Sequence, residues 1–356
     1  MENSIFKNLK VIDLSTVLAG PSVATFFAEL GAEVIKIENK KMPDVTRSWK
    51  LPSEQLESTV SAYFSSVNYK KSYLFLDLKD ADDYQKLLEI VKDADVLISN
   101  FKFGDEEKMK LEDELLRQIN PQLIIGKING FGSENDRVAY DLILQAESGF
   151  MSMNGTKESG PVKMPVALID VLAAHQLKEG LLLALYDRQV SNTIRTVEVS
   201  LYNAAICSLA NQASNYLMGN HIPQRIGSLH PNIAPYGEIF ETKDQELVTF
   251  AIGSAQHFEK LCAFLDLTEL LSDKHFSSNQ NRVVNRGALF EILQQKIKQF
   301  TADEVLDAML KVHVPAGKIK DVKAVFEDEK AKDLVRKETI NGIETERVTS
   351  IGFKWK

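Results

Sequence analysis

The first forty residues constrain the fold of this chain more than any other segment. An apolar run at residues 11–14 is followed by Gly20-Pro21, a helical stretch at residues 22–30, then Gly31 and a second apolar run at residues 34–37. Short apolar runs that alternate with helical patterns are typical of strand–helix–strand units, in which the two strands are parallel. The pattern therefore predicts the beginning of a parallel sheet.

The same alternation continues over the first two hundred residues. Further strands are predicted at residues 73–76, 96–98, 123–128 and 196–200, with helices at residues 80–93 and 111–118. Two longer apolar segments, residues 171–190 and 201–218, predict helices that are buried in the same domain. We therefore predict an α/β fold with a doubly wound, Rossmann-like parallel sheet.

The pattern of residues in the sequence changes after Asn220. Glycines and prolines punctuate residues 227–237, a strand is predicted at residues 246–252, and three charged amphipathic helices follow up to about residue 326. An apolar and aromatic run at residues 351–355 closes the chain. We predict a large domain at residues 1–219, a smaller α+β domain at residues 220–328, and a C-terminal segment at residues 329–356 that returns to the large domain.

Composition and charge exclude several functional classes. The 356 residues include 50 acidic and 42 basic side chains, and the resulting net charge of -8 argues against a general nucleic-acid binder. Two cysteines, Cys207 and Cys262, are too few for a disulfide framework or a tetrahedral zinc site, which fits a reducing compartment. Because the sequence has neither a basic leader nor an apolar run of about 18 residues, we expect a cytoplasmic protein that does not cross a membrane.

The sequence lacks the complete form of the common cofactor-binding motifs. Glu38 mimics the ribose-binding acid of a dinucleotide fold, but the turn at residues 18–23 holds one glycine where GxGxxG requires three. A P-loop is excluded because Gly126-Lys127 and Gly317-Lys318 are each followed by Ile. The six histidines show no paired ligand spacing. We therefore expect no metal site and no permanently bound cofactor.

Asp170 is the strongest single candidate for chemistry. It closes the apolar run at residues 164–169 and directly precedes a helix that is predicted to be buried. Position alone predicts an N-cap, whose side chain satisfies free helix amides. A carboxylate at the positive end of a helix is also held ionised, and it can attack an activated acyl group. Both roles stay open at this point.

Several short segments occur in a characteristic order between residues 9 and 236. They include Leu30-Gly31-Ala32-Glu33-Val34-Ile35-Lys36-Ile37-Glu38, Asp44-Val45-Thr46-Arg47, Asn100-Phe101-Lys102, Gly130-Phe131-Gly132, Ala139-Tyr140-Asp141, Asp170 and His230-Pro231. In order and spacing they resemble the family III CoA-transferases of the CaiB/BaiF type, which include formyl-CoA transferase and are related to the α-methylacyl-CoA racemases. No segment is specific alone, and the resemblance depends on the whole series.

The resemblance implies an interlocked homodimer with CoA lying against the large domain and an active site between the two domains. It places the nucleophile of the reaction at Asp170. The positions that match or neighbour the CoA contacts of the family are Val17, Leu18, Asn39, Lys71, Asn100, Phe101, Lys108 and Arg137. The acyl pocket is expected around Tyr140, Gly227 and Ser228.

The resemblance also implies a reaction. Asp170 would attack an acyl-CoA donor, pass through an aspartyl anhydride and an aspartyl-CoA thioester, and deliver CoA to a small carboxylic acid acceptor. An ordinary aspartate, with a pKa of about 3.9, is ionised and ready to attack at neutral pH. Because the thioester energy is conserved, neither ATP nor a metal is required, and CoA and acyl-CoA are substrates.

Two alternatives remain at this point. The first is an enzyme similar to the α-methylacyl-CoA racemases, which Tyr140 disfavours because it stands where racemases carry a histidine that acts as the second acid/base. The second is a non-catalytic CoA-binding protein in which Asp170 is only a helix cap. Within the transferase interpretation, Leu18 stands where formyl-CoA transferase has a polar residue, so specificity for oxalate or formate is not carried over.

Overall fold

The computed structural model describes residues 5–355, which divide into two compact units. The first unit contains residues 5–153, 162–224 and 333–355, and the second contains residues 154–161 and 225–332. The chain therefore leaves the first unit twice and returns to it with its C-terminal segment.

A six-stranded parallel sheet forms the centre of the first unit and confirms the predicted fold class. Its strands are β1 (Lys10–Asp13), β2 (Glu33–Asn39), β3 (Ser72–Leu76), β4 (Val96–Ser99), β5 (Ile124–Asn129) and β6 (Thr196–Ser200). The order across the sheet is β3-β2-β1-β4-β5-β6, the arrangement of a doubly wound nucleotide-binding fold. Strand β4 is buried along its whole length, as expected for a parallel strand covered on both faces.

Helices cover the sheet and fill the connections between its strands. They are α1 (Ala19–Glu29), α2 (Ala62–Ser66), α3 (Ala81–Lys92), α4 (Asp105–Met109), α5 (Asp113–Ile119), α6 (Asp141–Glu147), α7 (Phe150–Met153), α8 (Leu168–Ser191), α9 (Leu201–Cys207) and α10 (Ala210–Gly219). The predicted helices at residues 80–93 and 111–118 are confirmed as α3 and α5. Asp80 starts α3 because its carboxylate accepts hydrogen bonds from the amides of Asp82 and Asp83.

Helix α1 begins earlier than the sequence pattern predicts. The Gly20-Pro21 pair was expected to separate a strand from a helix starting at residue 22, but both residues lie in the first turn of α1. A proline is tolerated there because the first amides of a helix have no intrahelical partner. Gly20 is needed because an added Cβ atom would lie 2.3 Å from the Cβ atom of Ser15.

Helix α8 is the central helix of the first unit. A stripe at every fourth residue, Ile169, Ala173, Leu177 and Leu181, is completely buried and belongs to the core that includes Val96 and Ile124. Gly180 permits a close approach to β6, since a Cβ atom there would lie 2.4 Å from Cγ1 of Val197. Within residues 5–355, no helix, α8 included, is both long and apolar enough to cross a membrane.

The prediction of one buried helix at residues 201–218 is wrong. The segment forms two helices, because α9 ends at a cap on Ser208 and Ala210 adopts a left-handed backbone conformation with φ of 47°. None of the residues of α10 is buried, and the side chains of Leu217 and Met218 are 76% and 89% exposed. The apolar residues of α10 therefore do not pack on the core of their own chain, although they have helical spacing.

The second unit combines a small antiparallel sheet with helices. Its strands are β7 (Tyr236–Glu241), β8 (Leu247–Ala251) and β9 (Ala316–Lys318), in the order β7-β8-β9. Its helices are α11 (Ala255–Leu265), α12 (Asn279–Val284), α13 (Arg286–Ile297), α14 (Ala302–Lys311), α15 (Val322–Val325) and α16 (Glu329–Lys332). A separate apolar core holds the unit together, built around residues such as Phe240, Val248 and Leu261. The sequence pattern indicated β8 but missed β7 and β9.

The C-terminal segment adds a two-stranded antiparallel hairpin to the first unit, with β10 (Val335–Ile340) and β11 (Ile343–Val348). Its turn, Asn341-Gly342, has positive φ at both residues and is a favoured hairpin sequence that the sequence analysis overlooked. Ile340 packs against Val60 and Phe64, and Nη1 of Arg347 lies 2.7 Å from Oε1 of Glu29. Residues 351–355 have no regular secondary structure.

We predict that Gly20→Ala destabilises the protein by about 1–3 kcal/mol, because overpacking forces Ser15 out of its buried position. Urea unfolding of the purified variant measures this change. Gly219→Ala is the matched control in the same unit, since a Cβ atom there meets no atom within 4 Å. Equal stability of the two variants would contradict the assignment of a packing role to Gly20.

Candidate active site

A cavity of about 180 Å³ opens at the carboxyl ends of β1, β4 and β5. The connections from β1 and β4 run to opposite sides of the sheet at this point, which is where doubly wound folds bind their ligands. The residues that line the cavity include Val17, Leu18, Asn100, Phe101, Arg137, Tyr140 and Asp170. The fold thus brings seven of the predicted site residues together.

Asp170 is the third residue of α8, and it is 8% exposed. The prediction that it caps the helix is wrong, because α8 begins at Leu168 and its N-cap position, Ala167, makes no side-chain cap. The cap comes instead from a neighbouring helix, where Oδ1 of Asp141 accepts a hydrogen bond of 2.7 Å from the amide of Ile169. Asp170 is therefore free of the structural role that its position suggested.

The environment of Asp170 disfavours its charge. Within the described residues 5–355, no group donates a hydrogen bond to its carboxyl group. Burial, and then the nearby Asp141 carboxylate, raise the pKa of Asp170 to about 7. The expectation of an aspartate that is fully ionised at neutral pH is therefore wrong, because the site removes water without supplying hydrogen bonds in its place. Near neutral pH, both protonation states of Asp170 are populated.

The loop that follows β1 is held rigidly beside the cavity. The side chain of Asn100 makes two hydrogen bonds with the backbone of Thr16. Its Oδ1 atom accepts from the Thr16 amide at 2.9 Å, and its Nδ2 atom donates to the Thr16 carbonyl oxygen at 2.8 Å. The amide of Val17 donates to the Asp44 carboxylate at 3.3 Å. Val17 has φ of 72°, an outlying conformation for a β-branched residue, and strain of this kind persists only where the surroundings impose it.

Four buried ionisable residues lie beneath this loop: Asp13, Lys36, Asp44 and Lys71, called here the buried ion cluster. Nζ of Lys36 donates to the carbonyl oxygen of Ser15 at 2.7 Å and lies 3.2 Å from Oδ2 of Asp44. Burial alone would raise the pKa of Asp13, but Lys36 and Lys71 together lower it, so Asp13 stays ionised inside the protein. The buried ion cluster therefore joins β1 and β2 to the loop that carries Val17.

Lys71 lies inside this cluster and does not line the cavity. Its Nζ atom donates to Oδ2 of Asp13 and the carbonyl oxygen of Pro21, both at 2.8 Å, and to Oδ1 of Asn68 at 2.9 Å. An ammonium group has three N–H donors, and these contacts occupy all of them. A contact between Lys71 and CoA would require the buried ion cluster to open.

Asn39 and Lys108 also lie outside the lining of the cavity. Asn39 ends β2 and accepts hydrogen bonds from the amides of Lys41 and Met42. Lys108 lies on α4, with a side chain that is 72% exposed and paired with Asp105. Gly227 and Ser228 belong to the second unit. There the amide of Gly227 donates to the carbonyl oxygen of Gly155 at 2.8 Å.

Glu38 occupies the position of the acid that binds ribose in a dinucleotide fold. The structure gives its carboxylate a different partner. Both oxygens accept hydrogen bonds from the Arg47 guanidinium, at 2.9 and 2.6 Å, and the same guanidinium lies 3.7 Å from the centre of the Phe64 ring. In this arrangement Glu38 holds the segment after β2 in place.

Sequence reasoning missed Tyr63 and Asp141, which the structure places near Asp170. Burial raises the pKa of Tyr63 to about 12, with further contributions from the charges of Asp170, Asp141 and Asp44, so its hydroxyl remains a hydrogen-bond donor. Its ring packs edge-to-face on Trp49, with centroids 5.2 Å apart. Tyr63 lies in a segment without clear periodicity. Asp141 follows Tyr140 directly, and that adjacency was the available signal.

The part of the chain that the structure describes contains no set of ligands for a metal ion. Within residues 5–355, His, Cys, Asp and Glu side chains form no group of three or more that could hold a metal ion. Cys207 and Cys262 are both free thiols.

Comparison with known proteins relates the whole chain to one family. The model of CoA-transferase family III matches residues 6–354. The succinate–glutarate CoA-transferase of Agrobacterium fabrum is 34% identical over 326 residues, which cover 90% of this chain and 81% of that protein. The succinyl-CoA:glutarate CoA-transferase of Homo sapiens is 32% identical over 323 residues, with coverage of 90% and 73%.

A solved structure shows the same similarity in three dimensions. The crystal structure of a CAIB/BAIF family protein from Brucella suis superposes with a TM-score of 0.85 at 34% sequence identity. The match covers 99% of this chain and 93% of that chain.

We predict that Val17→Gly is more stable than Val17→Ala by about 1 kcal/mol, because only glycine adopts positive φ without a steric cost. Both variants lose the branched side chain, so the comparison isolates the backbone strain. Urea unfolding of the two variants measures the difference. A Val17→Ala protein as stable as Val17→Gly would show that the loop carries no such strain.

Proposed function

Because the chain belongs to CoA-transferase family III, we propose that it transfers CoA from an acyl-CoA donor to a carboxylic acid acceptor through covalent intermediates on Asp170. The observation that carries this proposal is the position of Asp170. It is a buried carboxyl group that accepts no hydrogen bond from the described residues, in a cavity at the topological switch point of the sheet. A nucleophile in such a place is poorly solvated and is exposed to a bound thioester.

The environment of Asp170 supports a catalytic role over a structural one. A carboxyl group that is buried without hydrogen-bond partners lowers the stability of the folded protein. Asp170 does not offset this loss by capping α8, because Asp141 makes that cap. Unfavourable local arrangements of this kind concentrate at functional sites. The non-catalytic alternative depended on Asp170 as a helix cap, and it loses that support.

The proposed reaction has four balanced steps. The Asp170 carboxylate attacks the donor thioester carbon, a C–O bond forms, the C–S bond breaks, and CoA thiolate leaves an aspartyl anhydride. The thiolate then attacks the aspartyl carbonyl and releases the donor acid, which leaves an aspartyl-CoA thioester. The acceptor carboxylate opens this thioester to form a second anhydride. Finally, CoA thiolate attacks the acceptor acyl carbon and regenerates the Asp170 carboxylate, with no net proton taken up or released.

The proposed CoA contacts divide into two groups. Val17, Leu18, Asn100, Phe101 and Arg137 line the cavity beside Asp170, where the reacting end of CoA must lie. The Arg137 guanidinium, half exposed, offers charge to a phosphate or carboxylate.

Three further residues form the second group of proposed CoA contacts. Lys108 is exposed and suits a phosphate farther from the cavity. Asn39 is exposed at the end of β2, while Lys71 would have to leave the buried ion cluster first. For the acyl part of the substrate, we propose contacts with Tyr140, Gly227 and Ser228.

We propose small dicarboxylic acids as the donor and acceptor acids. The support comes from the relatives from Agrobacterium fabrum and Homo sapiens, whose names specify succinate or succinyl-CoA together with glutarate. A dicarboxylic acyl-CoA carries a second carboxylate, and Arg137 and Lys102 are basic residues in the lining of the cavity that could pair with it.

We predict that Asp170→Asn lowers CoA transfer by about a thousandfold or more while CoA binding persists, because only the nucleophile is removed. The assay incubates the protein with succinyl-, glutaryl- and acetyl-CoA, traps acylated protein with hydroxylamine, and locates the modified peptide by mass spectrometry. A hydroxamate at Asp170 is expected with at least one donor. Asp187→Asn is the control, since Asp187 lies at the other end of α8.

Two results would contradict this mechanism. Full transfer activity in Asp170→Asn would exclude Asp170 as the nucleophile. Exchange of solvent deuterium into the acyl α-carbon, without transfer, would support the racemase alternative, in which Tyr140 would have to act as the second acid/base.

We also propose that the protein is a homodimer of the interlocked type. An exposed apolar stripe on α8 supports this, since Leu183, Tyr186 and Val190 are each at least 66% exposed, and Leu217 and Met218 of α10 are also exposed. Exposed apolar surface of this extent is typical of protein–protein contacts.

We predict that the double substitution Leu183→Glu and Tyr186→Glu converts a dimer to a monomer, because it places charges in an apolar contact. Size-exclusion chromatography with light scattering measures the mass. Val284→Glu, at an 82% exposed position in the second unit, is the control that should keep the dimer. A native protein of monomer mass would contradict the proposal.

A further inference from the structure

The turn that leads into Asp170 is held by two side chains of α6. Oδ1 of Asp141 accepts the hydrogen bond from the amide of Ile169, the residue before Asp170, at 2.7 Å. Oδ2 of Asp141 accepts from Nε2 of Gln145, also at 2.7 Å, and Oε1 of Gln145 accepts from the amide of Met164 at 2.8 Å. Asp141 is 6% exposed and Gln145 is 1% exposed, so water does not compete for these bonds.

The groups that face Asp170 come from several elements. Tyr63 of α2 is neutral and is influenced by the charge of Asp170. Arg137 and Tyr140, from the segment before α6, line the same cavity. Arg137 is already paired with Glu147 and stacked 4.0 Å from the Phe131 ring centre. Asp141 is the carboxylate whose charge, after burial, opposes ionisation of Asp170.

We propose that Asp141 is a positioning residue of this active site, which fixes the first turn of α8 through the Ile169 amide and places a second carboxylate near Asp170, where it opposes the negative charge on that group. The inference rests on the proposed function of Asp170 for its catalytic meaning. The hydrogen bonds fix where the carboxyl group of Asp170 stands. Burial, and then the charge of Asp141, keep that group partly protonated near neutral pH.

The two effects of Asp141 can be separated by substitution. Asp141→Asn keeps an oxygen that can accept from the Ile169 amide, although it turns an amide towards Gln145, and it removes the charge. Asp141→Ala removes both the oxygen and the charge. Asp187→Asn is the matched control, since it removes one carboxylate from α8 about 25 Å from Asp170, beyond the Debye length of about 8 Å.

The first experiment does not depend on catalysis. A carboxyl group with a raised pKa stabilises the folded state at low pH, and this contribution is lost as the pH rises from about 4 towards 7. We expect the free energy of unfolding of the native protein, relative to Asp170→Asn, to fall over this range. In the Asp141→Asn background, the fall should end at a pH lower by about one unit, because burial alone then opposes ionisation.

The second experiment follows the reaction. The rate of acyl labelling of Asp170 from succinyl-CoA is expected to rise with pH through about 7 in the native protein and in Asp187→Asn. Asp141→Asn should move this midpoint down by about one pH unit, so that labelling at pH 5.5 is several times faster. Asp141→Ala should shift the midpoint in the same direction and also lower the maximal rate.

The outcomes distinguish the inference from the proposed function. An unchanged pH midpoint in Asp141→Asn, in both experiments, would overturn the charge effect, and an undiminished maximal rate in Asp141→Ala would overturn the positioning effect. If no donor labels Asp170 but the unfolding experiment shows the expected shift, the proposed function fails while the interaction between the two carboxyl groups stands. A purely structural Asp141 would change stability at every pH without moving either midpoint.

Discussion

The part of the first unit that carries the candidate active site depends on the buried ion cluster of Asp13, Lys36, Asp44 and Lys71. Charges removed from water are tolerated only when partners replace the lost hydration, and each member of the cluster has such partners. The cluster connects β1 and β2 to the loop that carries Val17. Through Asp44 it reaches the amide of Val17, and so it supports one wall of the cavity that contains Asp170. Loss of any one member would leave its partner charged and buried.

On this rigid base, the site holds two arrangements that are unfavourable for stability. Val17 has a strained backbone. Asp170 is a buried carboxyl group that lies close to another acid and accepts no hydrogen bond from any residue between 5 and 355. Both suit the covalent acyl transfer that we propose, which requires a fixed loop beside the thioester and a nucleophile that is not surrounded by water. In the proposed mechanism, the raised pKa of Asp170 means that ionised and neutral forms of the proposed nucleophile coexist near pH 7.

Much of the fold and part of the site could be predicted from the sequence. The parallel strands and most of the helices of the first unit follow from local periodicity. The order and spacing of the short motifs indicated the family. The failures have physical causes. The apolar residues of α10 have helical spacing but do not pack on the core of their own chain. The hairpin at Asn341-Gly342 is built from strands with little apolar alternation. The burial of Lys71 was not predicted, because its partner Asp13 lies far from it in the sequence.

The α/β class, the family and the choice of Asp170 as the residue to test all follow from the sequence, because they depend on residue types in a linear order. The protonation state of Asp170 can be read only from the folded protein. The charge on a carboxyl group depends on which atoms surround it, and Asp141 and Tyr63 approach Asp170 from helices that are separate in the chain. For the same reason, only the folded chain shows that Lys71 belongs to the buried ion cluster and that Asp141, not Asp170, caps α8.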